Sequence, residues 1–110
     1  MCETSEYSRF VVSRGCSLES LGLSEIALPY ADAQQAVKLA IGCHLSILGG
    51  DVYYRTGKAM EPAYANWHVD RKDGESDDMY SRRSGEESER YLSALPKPVG
   101  KEYLIVIVTA

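Results

Sequence analysis

Cys43 and His44 place a thiol beside a base in a chain that holds two histidines and three cysteines. Nucleophilic catalysis needs the base within hydrogen-bond reach of the sulfur, and adjacency in sequence does not aim one side chain at the other. The plainer expectation is a buried Cys43 and a His44 that closes a helix, where a partly charged imidazole suits the helix dipole. His68 and Asp70, two residues apart, share a face if they lie on a strand, and Asp51 could stand nearby as a third metal ligand. That spacing matches no metal-site signature. Asp51 and Asp70 are also the one carboxylate pair that can be placed on a single sheet face, and acid-base work would need one of them moved to an unusual pKa. Gly49-Gly50 precedes a strand pattern, so it lacks the helix N-terminus that holds a phosphate, and a bulge or bend is expected there. Asp51 behind it either caps local backbone donors or meets a partner. No nucleophile, base and orienter come together, so the sequence predicts no enzyme, no metal and no cofactor. The alternative is a small enzyme or ligand-binding domain built on Asp51, His68 and Asp70.

The elements that would position these groups can be read from periodicity. Tyr7, Phe10 and Val11 recur at helical spacing, predicting a helix over 5–14 closed at Gly15. Asp32 and Gln35 have the spacing of a loose capping box, and Ala33, Ala36, Val37, Ala40 and Ile41 form an apolar stripe, predicting a helix over 32–43. A short strand at 26–28 ends at Pro29. Residues 46–55 and 63–70 are rich in β-branched and aromatic side chains, and Thr56-Gly57-Lys58 supplies turn chemistry, so the two form a hairpin. Alternation assigns Ala63, Ala65, Trp67 and Val69 to the core with Val52 and Tyr54. It turns Tyr64, Asn66, His68 and Asp70 to the outer face with Asp51, Tyr53 and Arg55. Ser76 as N-cap, Asp77 and Asp78 in a first turn and Pro96 as a stop predict a helix over 77–95. Its inner stripe of Tyr80, Ser84, Ser88, Tyr91, Leu92 and Leu95 lets it lie close to a sheet, and Arg82, Glu86 and Arg90 are spaced for ion pairs. Residues 103–108 are a continuous apolar run, the signature of a central strand covered on both faces. The sum is one α+β domain over 1–110, with a small mostly antiparallel sheet, hairpin plus central C-terminal strand, packed against helices.

Composition narrows the function. At 110 residues and 45% hydrophobic content the chain fits a single globular domain. An odd cysteine count without C-x-x-C spacing argues against a disulfide framework and for a reducing compartment, the cytoplasm. The longest apolar stretch, 104–108, is far short of the roughly 20 residues that span a bilayer, and Glu3 and Glu6 stand where a signal peptide would be basic, so neither membrane insertion nor secretion is expected. The formal charge of −4 has the wrong sign for a nucleic-acid binder. Between Asp70 and Glu89 lie eight acids and four bases, so that one segment carries the net charge of the whole chain, and its field would draw a basic protein. Eight of the ten aromatics are tyrosines, a residue enriched at interfaces, and Tyr53 and Tyr64 on the outer face are the ones to select. Trp67 falls in the core by phase, with a central interface anchor as its alternative.

Three ordered motifs stand out: Leu48-Gly49-Gly50-Asp51-Val52-Tyr53, then Pro62-x-Tyr64-x-Asn66-Trp67-x-x-Asp70, then Asp73-Gly74-Glu75-Ser76 with Tyr80, Ser84 and Tyr91 behind it. With the Leu21-Gly22 turn and the apolar last strand, this order resembles immunity protein family forty of bacterial polymorphic toxin systems over roughly residues 15–108. One departure is His68-Val69, where the family pattern has an aromatic residue and often a cysteine after the tryptophan. The resemblance implies a small cytosolic α+β protein encoded beside a toxin, which protects its producer by binding and neutralising the toxin domain. On the outer face and its adjoining loop, Asp51, Tyr53, Tyr64, Asp70 and Glu75 are the expected contacts with that cognate toxin, expected to be basic. The oligomeric state is left open.

Overall fold

The apolar run near the C-terminus forms the middle of the molecule. The computed structural model describes residues 4–110. In chain order its elements are α1 (Thr4–Arg14), β1 (Cys16–Ser17), a 3-10 turn (Glu19–Leu21), β2 (Ile26–Pro29), α2 (Tyr30–Gly42), β3 (Ile47–Thr56), β4 (Ala59–His68), α3 (Asp77–Ala94) and β5 (Glu102–Thr109). The five strands pair antiparallel throughout in the order β1-β2-β5-β3-β4. Leu104 and Ile105 face opposite sides of the sheet and are both fully buried, so β5 is central and covered on both faces, as its unbroken apolar sequence requires.

One face carries the helices. Val52, Trp67, Tyr103 and Ile105 of the sheet meet Ala33, Ala36, Val37 and Ala40 of α2, Tyr80 and Leu92 of α3, and Tyr7 of α1 in the main core. Gly85, a costly residue inside a helix, lets α3 approach α2, since a Cβ there would lie 2.2 Å from Cγ1 of Ile41. The other face has a smaller core of Tyr53, Leu104, Val106, Ala27 and Leu18, with Leu21 and Leu23 packed against it. The segment from β1 through the 3-10 turn forms this lid, which the hydrophobic pattern did not predict.

Two boundaries depart clearly from the sequence-based expectations. α2 begins at Tyr30, directly after Pro29, with no side-chain cap, and Asp32 lies in the first turn, 3.7 Å from the Arg14 guanidinium. The hairpin turn is shorter than expected, with Gly57 at φ 60 and β4 starting at Ala59. β4 then runs through Pro62, which an edge strand tolerates because its outward side needs no donor. On the helical side, Ser76 does cap α3, its hydroxyl accepting from the Met79 amide at 3.1 Å. The ion pair along α3 is Arg83 with Glu87 at 2.6 Å, rather than one involving Arg82 and Glu86.

Candidate partner-binding face

The glycine doublet is a seat for the tryptophan. A Cβ on Gly50 would lie 2.3 Å from Cη2 of Trp67 and equally close to the Val106 carbonyl, while one on Gly49, at φ 152, would lie 2.1 Å from the Trp67 carbonyl oxygen. The indole is stacked on Tyr91 with centroids 4.9 Å apart, and its Nε1–H donates to the Ser88 hydroxyl at 2.9 Å. Ser88 in turn donates to the Ser84 carbonyl at 2.7 Å, and the Ser84 hydroxyl accepts from the Ile47 amide at 3.0 Å. The serines expected only to be small thus also tie α3 to β3 and β4 through satisfied buried hydrogen bonds. Trp67 is a core residue.

Opposite the helices, the sheet face is half lidded and half open. Tyr53 is on this face by register, beside Leu104, but it is only 8% exposed. The expectation of an exposed Tyr53 is corrected: the lid covers its ring, and burial, with the Asp51 and Glu25 carboxylates nearby, pushes its hydroxyl pKa upward. Beyond the lid the face is open. Asp51, half-buried, lies across from Asn66 on β4, and His68 lies across from Gly49; Asn66 and His68 are exposed. Tyr64 is the most prominent side chain here, 91% exposed. The register shifts between Val52, paired with Ala65, and Tyr53, paired with Pro62, so Ala63 and Tyr64 form a bulge. Tyr64 takes φ 56 in it, a left-handed conformation uncommon for a bulky residue. Sequence alternation could not see the bulge that projects Tyr64.

Asp70 and Glu75 belong to the loop that follows β4, and one guanidinium organises it. Arg83 binds both oxygens of Glu75, at 2.7 and 2.9 Å, and donates to the Asp70 carbonyl at 2.6 Å as well as to Glu87. The Glu75 side chain is 7% exposed, and Lys72 adds a backbone donor. The Arg83 hydrogen bonds foremost hold its pKa down at about 2 against the raising effect of burial. The expectation of Glu75 as a free acidic contact is therefore corrected, since its carboxylate is an internal fastening. Arg71 pairs with Asp77 at 2.5 Å, and both arginines lie over the Tyr80 ring. Asp70 remains exposed. A basic residue eight positions after an acid, across a loop and a helix start, carries no local sequence signal, so this fastening was not legible.

The catalytic alternatives are not assembled as the sequence allowed. Among the described residues no three of His, Cys, Asp and Glu come together to hold a metal. Cys43 closes α2 half-buried, its amide donating to the Leu39 carbonyl at 2.9 Å. His44, at φ 55 just past α2, has its Nδ1 3.7 Å from Asp78 at the start of α3. Cys16 is free, with Arg55 donating to its sulfur at 3.1 Å.

The architecture is that of a small antiparallel α+β domain with one helix-covered face and one open aromatic and polar face. The family model described as Immunity protein 40 matches residues 17–109, and the chain belongs to that family. No curated protein and no solved structure matches it.

Proposed function

We propose that the chain is the immunity partner of a bacterial polymorphic toxin, binding the cognate toxin domain in the cytoplasm of the producing cell and neutralising it without catalysing a reaction. The observation that carries this reading is membership of an immunity protein family over nearly the whole fold, residues 17–109. The open half of the outer face supports it, because Tyr64 supplies a rigid amphipathic anchor and Asp51 and Asp70 supply carboxylates for a basic partner. Tyr53 and Glu75 act behind that surface, one as packing and the other as a fastening of the loop. The test is co-expression with the toxin domain encoded beside the gene. Cells that carry the immunity chain should survive induction of the toxin and yield a purifiable complex. Equal killing with and without the chain would overturn the proposal.

A further inference from the structure

The open end of the sheet is β4, and its two halves differ. From Ala59 to Tyr64 the edge is closed to further pairing, because Pro62 has no N–H and the bulge at Ala63 and Tyr64 interrupts the ladder. From Ala65 to His68 no such device stands. The Val69 amide donates inward to the Leu48 carbonyl at 2.9 Å, and the Trp67 carbonyl lies against Gly49. By the alternation of an antiparallel ladder, Asn66 and His68 therefore turn both backbone groups outward. Alongside this edge runs a groove of about 300 Å³ between β4 and α3, lined by Trp67, His68, Val69, Arg90, Tyr91 and Ala94, with Glu87 on the helical wall. Edge backbone, an apolar floor and a helical wall are what strand addition uses, the backbone giving affinity and the pockets selecting alternate side chains.

We propose that the Ala65–His68 edge of β4 receives an extended segment of the toxin as a sixth strand of the sheet, an assignment that rests on the toxin-binding reading above. Charge settles the kind of segment. Glu87 on the wall is paired with Arg83, Arg90 stands at the helical side of the groove, and on the open face Asp51 lies across from Asn66 and Asp70 follows the strand, at the start of the segment that holds the chain's net charge of −4. Residues of the added strand opposite Asn66 and His68 point to the open face and are basic. The residue opposite Trp67 points into the groove and is apolar, over the indole and Tyr91. Continuity with Tyr64, immediately before the open edge, makes the groove and the outer face one surface.

Backbone amide exchange in the purified complex with the toxin domain tests this directly. The outward amides of Asn66 and His68 should exchange quickly in the free protein and slow by about a hundredfold in the complex. Asn66→Pro and His68→Pro remove an outward N–H that bonds nothing within the sheet. They should bind about tenfold more weakly than Asn66→Ala and His68→Ala, which keep it. If a proline variant fails to fold, as judged by Trp67 fluorescence, the exchange measurement on the wild type still decides. A complex that forms while both amides exchange as in the free protein overturns strand addition alone. Absence of any complex with the toxin removes this assignment together with the reading it rests on.

Discussion

At the scale of the residue, Tyr53 and Tyr64 carry different duties. Tyr53→Ala empties part of the smaller core beneath the lid and should cost on the order of 3 kcal/mol of stability in urea unfolding. Tyr64→Ala removes a side chain that is 91% exposed. It should leave the melting temperature nearly unchanged while protection in the co-expression assay falls, and a Tyr64→Ala variant that protects fully would discount that ring as an anchor. Gly50→Ala should destabilise by about 2–3 kcal/mol and shift the Trp67 emission, because the new methyl meets the indole and the Val106 carbonyl at once. Unaltered stability would mean that the indole can tilt away from its stack on Tyr91. Sequence alternation placed Trp67 in the core and Tyr53 on the opposite side correctly. It missed the difference between the two tyrosines, because the lid over Tyr53 comes from a segment some thirty residues away with little periodicity of its own.

At the scale of the element, α3 is anchored by polar bonds as much as by apolar packing. The Glu75–Arg83 contact ties the loop after β4 to the helix, and its pH dependence has a definite sign. The folded-state pKa of Glu75, about 2, lies below the ordinary 4.5. Its contribution is therefore fully present above the ordinary value and is lost as pH falls from there toward 2. Chemical denaturation of Glu75→Gln should show a shallower loss of stability across that window than the wild type. Parallel curves would count against the contact. The start of α3, the hairpin and the central β5 were legible because each has a local signal: a cap at Ser76, turn residues at Gly57, an unbroken apolar run. The start of β4 and the bulge were not, since Pro62 argues against a strand unless it is already known to lie at an edge.

At the scale of the molecule, the acidic segment is less bare than its sequence. Arg71 and Arg83 pair with Asp77, Glu75 and Glu87 and offset two of those three charges, while Asp70, Asp73, Asp78 and Glu86 are exposed to solvent. Exposed charges act on encounter and are screened over about 8 Å at physiological salt. Association with the toxin domain should be faster at low ionic strength, and Asp73→Asn with Glu86→Gln should reduce that dependence; a wild-type rate indifferent to salt would exclude steering. The position of β5 has a consequence for biosynthesis. β2 and β3 do not pair with each other, and each pairs with β5, which is translated after all of them. A growing chain therefore carries two unjoined strand pairs, and at about 5–20 residues per second neither face of the sheet can close until the codons for Glu102–Thr109 have been read. A premature stop just upstream of Glu102 takes away the middle of the molecule and not its margin, so such alleles should leave the cell as exposed to toxin as a deletion of the gene.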